Sequence, residues 1–176
     1  LKVLESDYIT QGPVVPAFEK KISNYCKSKY AVAVNSATSA LHIACKALDL
    51  KSGDIAWTSP NTFVASSNCV LYCDAKIDFV DIDPLTGNIS VEKLEEKLIK
   101  AKKENKLPKV VIPVHMTGEP CDMQSIDRLR KEYNFKVIED ASHAIGAKHK
   151  GSDIGDCKYS DIAVSYTHLT LPTMYT

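Results

Sequence analysis

Short apolar runs alternate with stretches of helical spacing along most of this chain, and that alternation leaves few folds open to it. Residues 30–34, 55–58, 76–81, 110–114 and 136–138 read as strands. The fourth of these, Val110-Val111-Ile112-Pro113-Val114, is apolar throughout, as a parallel strand covered on both faces must be. Between them, residues 14–28, 40–48, 61–72, 90–102 and 122–133 repeat apolar side chains at three- and four-residue intervals and read as helices. Pro16 falls in the first turn of its helix, where proline is tolerated, and Ser90 stands as the N-cap of a charged helix. Gly53-Asp54 and Thr86-Gly87-Asn88 read as turns. Strand and helix in alternation predict an α/β fold: three layers, with a mostly parallel sheet between helices. With no internal repeat and no linker, one domain is expected.

Ligands of such sheets gather beyond the carboxyl ends of the strands. Three loops there carry polar or aromatic side chains. In Asn35-Ser36-Ala37-Thr38-Ser39, small residues before a helix leave its first N–H groups open, which suits a phosphate. The same residues also suit a plain N-cap built on Ser36 or Thr38. In Asn61-Thr62-Phe63 the aromatic ring either stacks on a flat heterocycle or belongs to the core. In Glu139-Asp140-Ala141-Ser142-His143, two carboxylates end an apolar strand, which is unfavourable unless they are solvated or paired. A carboxylate there could hold a proton on a ring nitrogen, as an electron-sink cofactor requires. His143 either reaches a ring substituent or is a core histidine. Of the other histidines, His42 reads as structural, His149 as part of a solvated turn, and His115 as a residue that could face the site. There is no G-x-G-x-x-G and no Walker loop.

Lys plus Arg and Asp plus Glu number 22 each, so there is no excess basic charge to draw nucleic acid or an anionic membrane. No apolar run approaches the roughly 18–20 residues of a membrane helix, and residues 1–8 do not resemble a signal peptide. A cytoplasmic protein is expected. The six cysteines, Cys26, Cys45, Cys69, Cys73, Cys121 and Cys157, fit no zinc spacing and read as buried free thiols. No metal is expected.

Together the three loops resemble the DegT/DnrJ/StrS family of sugar-nucleotide aminotransferases. The resemblance runs from about Tyr8 to Val164. It is carried by Ile9-Thr10-Gln11-Gly12-Pro13, Asn35-Ser36-Ala37-Thr38-Ser39-Ala40-Leu41-His42, Thr62-Phe63-Val64-Ala65, Glu139-Asp140-Ala141-Ser142-His143-Ala144 and Ser160-Asp161-Ile162-Ala163-Val164. It implies the large domain of a type I (aspartate aminotransferase-like) fold, incomplete here, with pyridoxal 5'-phosphate as cofactor. By position, Ser36, Ala37 and Thr38 would hold the phosphate and Phe63 would stack on the ring. Asp140 would pair with the ring nitrogen, and His143 would approach the ring hydroxyl. Thr10, Gln11 and Gly12 would border the sugar pocket. The Ile-Thr-Gln-Gly-Pro and Asp-Ala-Ser-His versions of these motifs resemble the pseudaminic-acid branch. That branch aminates C4 of a UDP-linked 4-keto-6-deoxy-N-acetylhexosamine, with glutamate as the expected donor. A homodimer is implied for the full-length protein.

The sequence departs from the family after Val164. The family continues Phe-Ser-Phe-His-x-x-Lys, whose Schiff-base lysine binds the cofactor covalently. Here Leu171 stands in that place, so no catalytic lysine is present. Residues 165–176 resemble a translated sequencing adapter rather than native protein, and residues 1–164 are expected to be the partial cofactor-binding domain. A dehydratase of the same family and an inactive fragment remain the alternatives.

Overall fold

The computed structural model describes residues 3–166. Helix α1 (Val14–Cys26) and helix α2 (Ala37–Ala47) precede strand β1 (Ile55–Thr58), helix α3 (Ala65–Leu71) and strand β2 (Lys76–Phe79). Helix α4 (Val91–Lys103), strand β3 (Val110–Ile112), a 3-10 turn (Met116–Gly118), helix α5 (Met123–Tyr133) and strand β4 (Lys136–Asp140) follow. A hairpin of β5 (Lys148–His149) and β6 (Ser152–Asp153) leads to β7 (Ile162–Val164). The five longer strands form one sheet in the order β2-β1-β3-β4-β7, every pair parallel. Parallel pairing needs a crossover between successive strands, and α3, α4 and α5 supply the first three.

Alternation along each strand divides the core in two. Ala56, Val110, Ile112 and Ile138 face a layer made by α2 and α3, with Leu41, Ala44, Cys45, Ala65, Cys69 and Val70. Trp57, Val111 and Val137 face the opposite layer, where α4 and α5 contribute Leu94, Leu98, Ile126 and Leu129. The three-layer α/β arrangement expected from the sequence is what forms. The helix caps follow the same logic: Ser90 Oγ accepts from Lys93 N–H at 3.2 Å, and Asp122 accepts from Ser125 N–H.

One expected strand is absent. Residues 30–34 run as extended chain without a strand partner, with Tyr30 and Val32 exposed. An apolar run becomes a strand only where another strand offers its N–H and C=O groups, and here the partners are side chains: Ala33 N–H donates to Glu19 Oε1 at 2.9 Å and the Tyr30 carbonyl accepts from Ser28 Oγ at 3.1 Å. Two helices also begin elsewhere than expected. α2 starts at Ala37, because Ser36 rather than a later residue takes the cap, and α3 starts at Ala65, after a turn through residues 61–64. The apolar stripe read on α1 is not covered by the described residues: Phe18 and Tyr25 are exposed and only Cys26 is buried.

Charge fastens β7 to the sheet. Asp161 Oδ2 accepts from Val137 N–H at 2.9 Å and from Arg130 Nη1 at 3.1 Å, and Oδ1 accepts from Lys136 Nζ at 3.0 Å. Burial pushes the Asp161 carboxyl up, but the Val137 amide and the Lys136 and Arg130 charges outweigh it, leaving it below the ordinary carboxylate value. In the unfolded chain an Asp titrates near ~3.9. The stabilisation is therefore complete above that value and is lost as pH falls through the lower folded one. The urea midpoint is expected to drop as pH is lowered below about 4, and Asp161→Asn to flatten that slope. Equal slopes in the two proteins would show that Asp161 carries no such linkage.

Candidate functional site

Because the five strands are parallel, the segments after β1 and β4 leave the sheet at the same edge. Neighbouring residues of β4 must point to opposite faces. Glu139 and Asp140 therefore have separate surroundings rather than forming one acidic pair. Asp140, 5% exposed, turns toward the α2–α3 layer. Its Oδ2 accepts from Ser66 Oγ at 2.6 Å, and Oδ1 accepts from Ser142 Oγ at 2.7 Å and Ser142 N–H at 3.2 Å. Thr62 Oγ1 lies 2.8 Å from Ser66 Oγ, so hydroxyls run from the loop after β1 to the carboxylate.

That chain also places Phe63. Thr62 is tied to the first turn of α3 through Ser66, and the next side chain, Phe63, is 72% exposed. The core reading of Phe63 is thus excluded; an aromatic ring stands open in the loop that Thr62 ties to Ser66, the donor to Asp140. His143 is exposed as well, which removes the core-histidine reading. Its loop is held by the 3-10 turn, where a Cβ on Gly118 would stand 3.0 Å from the His143 carbonyl oxygen. Gly118 also has φ near +90°, so a side chain there would be doubly unfavourable.

At the start of α2, Ser36 Oγ accepts from Ser39 N–H at 3.1 Å and donates to Ser39 Oγ at 3.0 Å. The N-cap reading of Ser36 is therefore correct as far as it goes. It leaves the amides of Ala37 and Thr38 without intrahelical acceptors, as the first turn of any helix does. Thr38 and Ser36 are half-buried, and α2 packs on α3, β4 and β7, the elements around Asp140. Thr10, Gln11 and Gly12 stand before α1, outside this hydrogen-bonded group. Among the described residues no hydrogen bond joins them to it, and Thr10 and Gln11 are exposed. Gly12 is needed locally, because a Cβ there would come within 2.6 Å of Tyr8 Cβ.

Two histidine expectations change. His115 does not face the site but is fully buried on the other side of the sheet. Cys121 N–H donates to its Nδ1 at 3.1 Å, so the proton sits on Nε2, which donates to Glu139 Oε2 at 3.3 Å. His149 is not a solvated-turn residue. It lies in β5 with a side chain 14% exposed, its Nε2 3.4 Å from Asp122 Oδ1. His42 is structural, as expected, edge-on to Tyr72 at 5.4 Å between centroids. The described cysteines are free thiols, all buried except the half-buried Cys157, and the described residues contain no His, Cys, Asp and Glu cluster able to hold a metal.

Ser66 is the site residue that sequence reasoning missed. It lies in Ala65-Ser66-Ser67-Asn68, where nothing marks it apart from Ser67; only its position one helical turn after Thr62 hints at a shared face. Ser66→Ala leaves Asp140 Oδ2 without its donor, a loss of about 1–3 kcal/mol for a buried group. The thermal midpoint is expected to fall by several degrees, and an unchanged midpoint would show that water replaces the hydroxyl at no loss.

The donor set fits one kind of ligand. Open amides at a helix N-terminus suit a phosphate, an exposed aromatic face suits a flat ring, and a buried carboxylate with both oxygens fixed suits a protonated ring nitrogen. The profile of the DegT/DnrJ/EryC1/StrS aminotransferase family matches residues 1–167. The chain belongs to this family. Over 155 residues this DegT-family chain is 43% identical to the uncharacterised protein MJ1066 of Methanocaldococcus jannaschii, covering 88% of itself and 39% of that protein. Over 171 residues it is 38% identical to the UDP-4-amino-4,6-dideoxy-N-acetyl-beta-L-altrosamine transaminase of Campylobacter jejuni, covering 97% of itself and 44% of the relative. Among solved structures, Helicobacter pylori PseC, an aminotransferase involved in the biosynthesis of pseudoaminic acid, superposes with a TM-score of 0.85 at 29% identity. That match covers 95% of the chain and 43% of PseC. The chain thus spans less than half the length of the relatives it matches. Its sheet is part of the large domain of the type I pyridoxal-phosphate fold, and pyridoxal 5'-phosphate is the cofactor that goes with it. Among the described residues no helix is long and apolar enough to cross a membrane.

Proposed function

We propose that the full-length protein transfers an amino group from glutamate to C4 of a UDP-linked 4-keto-6-deoxy-N-acetylhexosamine, in the making of a surface polysaccharide or flagellin glycan. The observation that carries this reading is Asp140, buried at a strand end with both oxygens fixed and linked through Ser66 and Thr62 to the loop that bears the exposed Phe63. The 38% identity to the Campylobacter transaminase supports the choice of sugar.

When bound, pyridoxal phosphate supplies an electron sink for the substrate carbon. The chain's own residues hold and orient it. Ala37 and Thr38 donate their amides to the phosphate, with the Ser36 and Thr38 hydroxyls nearby. Phe63 covers one face of the ring. Asp140 keeps a proton on the ring nitrogen, and Ser66 and Ser142 keep Asp140 pointing at it. His143 approaches the ring hydroxyl, and Thr10, Gln11 and Gly12 border the sugar. The protein works as a cytoplasmic homodimer, for which the exposed apolar side chains of α1 and residues 30–34 offer surface.

The literal sequence favours a second reading for the chain itself. Leu171, which lies outside the described residues, occupies the register of the family's lysine. Residues 1–164 are then a partial cofactor-binding domain, and residues 165–176 derive from a sequencing adapter. Resequencing the gene past the codon for Val164 tests this: coding that continues into Phe-Ser-Phe-His-x-x-Lys supports it, and a confirmed stop after Thr176 refutes it. For the full-length protein, the test is 2-oxoglutarate release from glutamate with the UDP-4-keto sugar. Loss of water from the sugar without 2-oxoglutarate would assign the dehydratase branch instead.

A further inference from the structure

The cysteines look scattered in sequence, yet three of them meet. Cys45 on α2, Cys69 on α3 and Cys73 in the turn after α3 are all 1% exposed or less, in the layer between those helices and the sheet. Cys45 Sγ donates to Cys69 Sγ at 3.6 Å, and the Cys69 thiol donates to the Ser66 carbonyl at 3.4 Å. No described His, Asp or Glu joins them in a metal cluster. Cys45 and Cys69, on two helices packed against each other, are placed for chemistry with one another.

We propose that Cys45 and Cys69 are a modification site, a dithiol that peroxide converts reversibly into a disulfide tying α2 to α3. The sulfurs need to close from 3.6 Å to about 2.05 Å, a movement that side-chain rotation and a small helix shift can share. Cys45 is the attacking sulfur. Once Cys45 gives up its proton, the Cys69 thiol can turn from the Ser66 carbonyl to the Cys45 sulfur, and this bond holds the Cys45 thiol below the ordinary value against the opposing effect of burial. The same bond and burial push Cys69 up. The Cys45 sulfur takes one oxygen from hydrogen peroxide, the O–O bond breaks, and the other oxygen leaves as water with the thiol proton. The Cys69 sulfur then displaces the oxygen bound to Cys45, the S–O bond breaks, and that oxygen leaves as a second water with the Cys69 proton. Two thiols are oxidised and one peroxide is reduced to two waters.

Access selects the oxidant. Both sulfurs are fully buried, so the oxidant reaches them through local opening of the seven-residue α3, and hydrogen peroxide is small enough to need little of it. The bond would join the helix bearing Ser36 and Thr38 to the helix bearing Ser66.

The purified chain is treated with hydrogen peroxide, blocked with maleimide in denaturant and digested with trypsin. The expected result is a link between the peptide of residues 30–46, which holds Cys45, and that of residues 52–76, which holds both Cys69 and Cys73. Two of the six thiols are lost, and dithiothreitol restores them. Cys73→Ser keeps the link and thereby assigns it to Cys69, whereas Cys45→Ser and Cys69→Ser each abolish it. Six intact thiols, sulfinic acid at Cys45 without a link, or a link no faster than in the denatured chain would overturn the proposal. These readouts need neither cofactor nor sugar, so they stand or fall apart from the aminotransferase reading.

Discussion

Asp140→Asn in the full-length protein is expected to lower kcat/KM for glutamate by roughly two to four orders of magnitude. Asn can still accept from Ser142 with its Oδ1, while its NH2 donates to Ser66 Oγ, so hydrogen bonds remain on both sides while the negative charge is lost. The Asp140 side chain is 5% exposed, and a charge pair formed there has little water to screen it. Breaking such a pair by removing one partner costs about 3–5 kcal/mol, which converts to the stated loss of rate. Two controls separate this from misfolding: thermal midpoints within a few degrees of each other, and cofactor that stays bound through dialysis but at reduced affinity. A loss smaller than about tenfold, or roughly 1.4 kcal/mol, would show that Asp140 is not the partner of the ring nitrogen.

The features legible in the sequence are those decided locally. Residues 55–58 form a strand because their apolar run is bounded by turn residues on both sides. Ser90 caps a helix because an oxygen three residues before an open amide needs nothing distant. Asp140 was legible because a carboxylate at the end of an apolar strand demands a partner. What was hidden depends on pairing between remote segments. The apolar run at residues 30–34 has strand composition but no neighbouring strand among the described residues. Ser66 matters only because β4 brings Asp140 to it from 74 residues away. The thiols of α2, α3 and the turn after α3 meet only because both helices cover the same face of the sheet.

The Glu139–His115 pair was hidden for the same reason, and it predicts the largest effect on stability. Period-two alternation sends Glu139 to the face opposite Asp140, where it is 3% exposed and meets a fully buried His115. Each group satisfies the other: the imidazole accepts from Cys121 N–H on one side and donates to the carboxylate on the other. His115→Leu keeps the volume roughly similar but removes both interactions, leaving a buried carboxylate without a donor and a buried amide without an acceptor. The first loss costs about 3–5 kcal/mol and the second about 1–3 kcal/mol; they share one site and will not add fully. Domains of this size are stable by only about 5–15 kcal/mol, so His115→Leu is expected to accumulate as insoluble protein. Glu139→Gln retains an acceptor for Nε2–H and carries no charge to desolvate, so its urea midpoint should stay close to that of the parent. The double variant His115→Leu with Glu139→Leu discriminates the cause. Removing both polar partners removes the stranded charge, so it should be more stable than His115→Leu alone despite carrying one more substitution. If it is less stable, packing around His115 rather than the unpaired carboxylate is what the fold depends on.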